Sequence, residues 1–117
     1  MAQTFPQLIA ARIRGSDTTT FEVTEDWLQG RTSFGGLVSA YAAQAMRDVA
    51  GGAWPAEVTL RALQASFVAP VGPGQVEVAV RTLREGKNVR QVQAEVRQNG
   101  ETCSVMLGVF ATARQSV

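Results

Sequence analysis

Residues 34–52 read Phe34-Gly35-Gly36-Leu37-Val38-Ser39-Ala40-Tyr41-Ala42-Ala43-Gln44-Ala45-Met46-Arg47-Asp48-Val49-Ala50-Gly51-Gly52. Ala40, Ala42, Ala43, Ala45 and Ala50 give this stretch a strong helical bias, because alanine loses no side-chain entropy in a helix. Leu37, Tyr41 and Ala45 fall on one stripe at i, i+4 and i+8, with Val38, Ala42 and Val49 on the stripe beside it. Its only charges, Arg47 and Asp48, come late. A helix with so little charge predicts burial on most sides, and its small side chains let a sheet wrap closely around it. The expected helix runs over 37–50, with Gly51-Gly52 closing it through a left-handed C-cap.

Downstream, the period changes from helical to two. Residues 58–67 form one long strand candidate, and Pro70-Val71-Gly72-Pro73-Gly74 a loop. Residues 75–84 then alternate, Val76, Val78 and Val80 opposite Gln75, Glu77 and Arg81. Glu85-Gly86-Lys87-Asn88 reads as a turn, and 89–98 alternate again. Asn99-Gly100 is a two-residue hairpin signal, since both positions tolerate positive φ. The last strand, 102–112, carries Val105, Leu107, Val109 and Ala111 on one face. Upstream, residues 8–14 read as a strand, Gly15-Ser16-Asp17 as a turn, and 18–23 as a second strand. Residues 24–33 are polar and irregular, with Trp27 and Leu28 as anchors. The order predicts an α+β domain over residues 1–117, an antiparallel sheet wrapped around one long central helix.

Composition removes several classes of function. The 117 residues are 45% hydrophobic and 18% charged, a globular balance. A net charge of +1 without a basic run leaves no electrostatic footprint for nucleic acid. No apolar span of about 20 residues predicts a membrane helix, and the first residues lack the layout of a signal peptide. With Cys103 as the single cysteine, no internal disulfide can form, and the simple expectation is a cytoplasmic protein. The sequence holds no histidine, which excludes Ser-His-Asp and Cys-His machinery and the usual histidine metal sites. No metal or cofactor is expected, and acid–base chemistry falls to a carboxylate, tyrosine, lysine or water.

Three landmarks occur in order. Phe34-Gly35-Gly36 opens the alanine-rich helix, a strand ends at Ser66-Phe67-Val68-Ala69-Pro70, and Leu83-Arg84-Glu85-Gly86-Lys87 makes a turn. Together they resemble the N-terminal hotdog domain of type II acyl-CoA thioesterases, over nearly the whole chain. The resemblance implies a hotdog fold and acyl-CoA thioester substrates. Family members usually carry two such domains, which pair so that their sheets join and the ligand sits between the helices. A single domain then needs a second copy, as a homodimer, or a separate hotdog partner. The chain ends about where the first hotdog ends in that family, whether as a complete gene product or a fragment.

Thioester hydrolysis needs a group that activates water and donors that hold the oxyanion. The N–H groups of Gly35, Gly36 and Leu37 are unpaired at a helix start, at the positive end of its dipole. With Phe34, Tyr41 and Phe67 they form the expected substrate-binding set, although Gly35-Gly36 could serve only packing. Many hotdog enzymes place a carboxylate about two turns into the helix; here Tyr41-Ala42-Ala43-Gln44 has none. Gln44 and Gln64 are therefore the polar candidates, with Gly36, for the catalytic set, against the bland reading of satisfied amides. Asp48, at a helix end that disfavours anions, is expected in solvent. Cys103 is expected to be a buried structural thiol. Arg61, Arg84, Lys87 and Arg90 are candidates for coenzyme A phosphates or plain solubilising charges. The functional expectation is binding or hydrolysis of acyl-CoA at a dimer interface. The alternative is a non-catalytic acyl-binding or structural half whose partner carries the acid. A hotdog hydratase would require histidine.

Overall fold

A computed structural model describes residues 3–29, 32–33 and 35–112. Helix α1 spans Phe5–Ala10, followed by strands β1 (Ile13–Arg14) and β2 (Thr18–Val23). A 3-10 turn at Glu25–Trp27 leads to a small hairpin, β3 (Leu28–Gln29) and β4 (Thr32–Ser33). Helix α2 is Gly35–Ala50, and four long strands follow: β5 (Val58–Phe67), β6 (Gly74–Glu85), β7 (Val89–Gln98) and β8 (Glu101–Thr112). The main sheet has the order β1-β2-β6-β7-β8-β5, antiparallel throughout. The four long strands match the periodicity reading to within a residue or so at their ends.

Two expectations need correction. Residues 8–14 are not a strand, because the segment begins as helix α1. Thr4 builds a capping box there: its hydroxyl accepts from the Gln7 N–H at 3.3 Å, and the Gln7 side chain accepts from the Thr4 N–H at 2.8 Å. Pro6 in the first turn is pre-set for the helix. Only Ile13 and Arg14 reach the sheet. Nor does Gly51-Gly52 form a left-handed cap, since neither glycine has positive φ. The Gly51 N–H still donates to the Arg47 carbonyl at 3.0 Å. A Cβ at Gly51 would lie 3.1 Å from Trp54 Cε3, so this glycine serves the seating of Trp54 against the helix end. By contrast, Asn99 and Gly100 have φ of 54° and 77°, as a type I′ hairpin requires.

The core lies between α2 and the concave face of the sheet. Leu37, Val38, Tyr41, Ala42, Ala45 and Met46 of α2 are buried against Phe21, Val76, Val78, Val92, Val96 and Met106. The helix lies mainly over β6 and β7 and only brushes β8 and β5. On β8 the inward residues are Cys103, Met106, Gly108 and Phe110, while Val105, Leu107 and Val109 point outward and stay half-buried. A Cβ at Gly108 would stand 2.6 Å from Met46 Sδ, so a residue without a side chain lets α2 and β8 close together here.

Strand β5 forms one edge of the sheet, pairing only with β8. On its concave side Leu60 and Leu63 are half-buried, and Phe67 is 58% exposed. A ten-residue edge with an uncovered apolar face is the part of the fold that a further strand could complete.

Candidate functional site

The start of α2 and the end of β5 meet in a groove of about 450 Å³. It is lined by Gly35 and Val38 from the helix, by Phe67 and the 68–71 segment, and by Cys103 and Ser104 from β8. The Phe67 ring lies flush against the helix start: a Cβ at Gly35 would meet its Cζ at 3.0 Å. A side chain at this position would have to displace the ring, so glycine suits the close approach. The first N–H groups of a helix have no intrahelical acceptor, so this end offers donors and partial positive charge to an oxygen atom. Gly35 and Gly36 are exposed, whereas the Leu37 side chain is buried and can contribute only its backbone.

The 68–71 wall is fixed by β8. The Val68 and Ala69 N–H groups both donate to the Cys103 carbonyl, at 2.8 and 3.0 Å, and the Ser104 hydroxyl donates to the Ser66 carbonyl at 3.0 Å. Ser104 is thereby occupied. Burial pushes the Cys103 thiol up from its ordinary range, which keeps it protonated and poorly nucleophilic near neutrality. The groove walls therefore hold apolar surface and backbone donors, and among the described residues that line it none is a carboxylate.

The sequence candidates separate in space. Gly35 and Phe67 come together at the groove, and Gly36 follows in the first turn of the helix without lining it. Phe34 lies outside the described residues. Tyr41 is not at the site. It is fully buried, stacked on Phe21 at 4.3 Å, and its hydroxyl donates to the Glu22 carbonyl at 2.6 Å. Burial and the nearby Glu22 charge push its pKa up to about 12. Gln64 stands opposite Leu107 on β5. It faces outward, away from α2, over a shallow hollow that it shares with Ser66, Leu83 and Gln93. Alternation along the strand sets this: Phe67 turns toward the helix, so Ser66 and Gln64 turn away.

Gln44 is also drawn elsewhere. Its amide donates to Asp48 Oδ1 at 3.0 Å, one turn on. Asp48 itself is a correction, because its side chain is 5% exposed rather than solvated. Arg12 Nε and Nη2 donate to its two oxygens at 2.6 and 3.1 Å, and Arg14 lies 3.7 Å away. Burial alone would raise the Asp48 pKa. The hydrogen bonds from Arg12 and Gln44 and the charges of Arg12 and Arg14 outweigh it and hold the carboxyl below its usual value. The one carboxylate on α2 is thus committed to fastening the N-terminal segment.

Of the basic candidates, Arg90 is not a surface residue of a charged turn. It is 9% exposed and lies beneath Trp54. Arg61, Arg84 and Lys87 are exposed. The groove residues that the site reading missed are Val38, the 68–71 wall and, on β8, Cys103 and Ser104. The apolar Val68-Ala69 and Val71 around Pro70 were the available signal, since a purely solvated loop would not carry them.

Among the described residues no group of three or more metal-ligating side chains occurs, and no helix is long and apolar enough to cross a membrane. A helix wrapped by an antiparallel sheet, with a groove where the helix begins, defines the hotdog class. The chain belongs to the acyl-CoA thioesterase N-terminal domain family, which it matches over residues 23–111. No curated protein sequence matches it significantly. Solved structures share the fold. A hot dog-fold protein from Alicyclobacillus acidocaldarius superposes with a TM-score of 0.82 at 16% identity, over 99% of this chain and 42% of that one. The PaaI protein of the Escherichia coli phenylacetic acid degradation operon gives 0.75 at 20% identity, over 83% of this chain and 72% of its own. A Bacillus halodurans protein solved with CoA gives 0.75 at 17% identity, covering 82% and 66%. At these identities the likeness concerns the fold.

Proposed function

We propose that this domain binds acyl-CoA thioesters, seating the thioester carbonyl at the first turn of α2 and the adjoining chain in the groove beside Phe67. The observation that carries the reading is the junction of Gly35 and Phe67, where a helix N-terminus opens onto a mostly apolar groove. Backbone donors from Gly36 and Leu37 would hold the carbonyl oxygen, and apolar walls suit an acyl or pantetheine chain. Family membership supports the substrate class.

The domain works as a pair in this reading. The unpaired edge of β5, its half-buried Leu63 and its exposed Phe67 favour addition of a strand from a second copy or another hotdog domain. Such pairing would close the groove from the open side. Among the described residues no carboxylate lines the groove, and Asp48 is occupied by Arg12. Binding is therefore the primary role, with the acid that activates water supplied by a partner domain. A second reading, hydrolysis by the homodimer itself with Gln44 or Gln64 orienting water, draws on the family match. Gln44 would first have to leave Asp48.

One experiment separates the two. The purified chain is titrated with acyl-CoAs of short to long chain, binding and free-CoA release are followed on the same sample, and its mass in solution is measured. Saturable binding by a dimer without CoA release supports the binding role. Sustained release by the dimer establishes the hydrolytic one. Absence of binding across the panel refutes both.

A further inference from the structure

At the far end of α2 from the groove, two arginines stand unpaired against two aromatic rings. Arg90 lies on β7 with Glu85 and Phe110 as its cross-strand neighbours. Only 9% of it is exposed, and its Nε and Nη1 are buried without a hydrogen-bond partner. Its guanidinium lies 5.8 Å from the Trp54 ring centre, that of Arg47 lies 5.4 Å from the Phe110 ring centre, and the two rings are 4.8 Å apart. Glu85, the nearby carboxylate, accepts instead from the Trp54 indole N–H at 3.0 Å. Among the described residues neither Arg47 nor Arg90 forms an ion pair.

Stacking on rings and the negative end of the α2 dipole offset part of this positive charge. They leave two buried donor nitrogens of Arg90 unmet, and a buried unmet donor is costly and rare. A planar guanidinium with free donors, a second cation close by and an aromatic platform are chemistry suited to an oxyanion. Along α2, Gly36 and Arg47 are separated by about 16 Å at 1.5 Å per residue. One ligand lying along the helix could therefore touch both ends.

We propose that Arg90 and Arg47 form an oxyanion subsite for the substrate, taking either a phosphate of coenzyme A or a carboxylate at the far end of the acyl chain. This rests on the acyl-CoA reading above and extends it to a site remote from the thioester. Trp54 covers the Arg90 guanidinium and supplies the flat surface beside it.

The test is thermal unfolding of the full chain against rising adenosine 3′,5′-bisphosphate, glutarate, or chloride at matched ionic strength. One of the two oxyanions is expected to raise Tm saturably, with chloride inert. Arg90→Met should abolish the response while unfolding, ligand-free, at or above the wild-type Tm, because it removes the unmet donors. Arg47→Gln, at an exposed position, should weaken the response about tenfold or more and keep the fold. A bisphosphate response assigns the site to coenzyme A, and a glutarate response to an acyl carboxylate. No saturable response to either, or one unchanged in both variants, overturns the subsite. Should Arg90→Met not fold, an unchanged response in Arg47→Gln overturns it alone. Bisphosphate binding by a chain that ignores every acyl-CoA would keep the subsite and refute the thioester reading. Acyl-CoA affinity unchanged in both variants would do the reverse.

Discussion

Removing the Asp48 carboxylate, as in Asp48→Ala, should weaken the fold by about 2–3 kcal/mol at pH 7. Fully buried pairs cost about 3–5 kcal/mol when one partner is lost, and exposed pairs about 1 or less. This pair lies nearer the buried end, with Asp48 at 5% and Arg12 at 18% side-chain exposure. The substitution also strands the Gln44 amide and removes the charge near Arg14, which keeps its bond to the Asp48 carbonyl. For a domain of this size the loss corresponds to a fall in Tm of about 8–12 °C. The pH dependence has a definite sign. The Asp48 pKa is depressed in the folded state, so its contribution is whole above the unfolded carboxyl pKa of about 3.9 and is lost as pH falls through the lower folded value. Urea unfolding at pH 7 and at steps below pH 4 measures both features, and a cycle with Arg12→Met isolates the pair. A deficit under about 0.5 kcal/mol at pH 7, or one that widens below pH 4, would refute the reasoning. Replacing both partners by apolar residues should recover most of the loss.

Gly35→Val should push the Phe67 ring from the helix start and weaken acyl-CoA binding about tenfold, or 1.4 kcal/mol, with little change in Tm because Phe67 is 58% exposed and can swing aside; calorimetric titration beside a melt would read both. Tyr41→Phe should cost about 1 kcal/mol of stability through the lost bond to the Glu22 carbonyl. It should leave ligand affinity untouched, and a selective loss of affinity would return Tyr41 to the site. Ala43→Asp places a carboxylate where the helix has none, and CoA release should rise about tenfold or more if that position borders the bound thioester; unchanged release would place it away from the reaction.

Most of the architecture was legible from local signals. The alanine-rich run from Leu37, the alternation of the last three strands and the Asn99-Gly100 turn are local signals, set by propensity and period, and neighbours in space had no reason to override them. Gly35-Gly36 and Phe67 were legible for the same reason, one being a helix start and the other a strand end. Tertiary structure decided what each side chain faces. Tyr41 and Gln44 share α2 with the glycines, yet Phe21 claims one and Asp48 the other, and Asp48 is buried only because Arg12, 36 residues earlier in the chain, folds back onto it. Gln64 differs from Phe67 by an odd number of positions on one strand, and the sheet's curvature around α2 settles which of the two meets the groove. Arg90 occupies a strand position that alternation marks as inward. Trp54, beyond the helix end, is what covers it. Partners distant in sequence carry the energy in each of these cases, and periodicity reports only a residue's side of its own element.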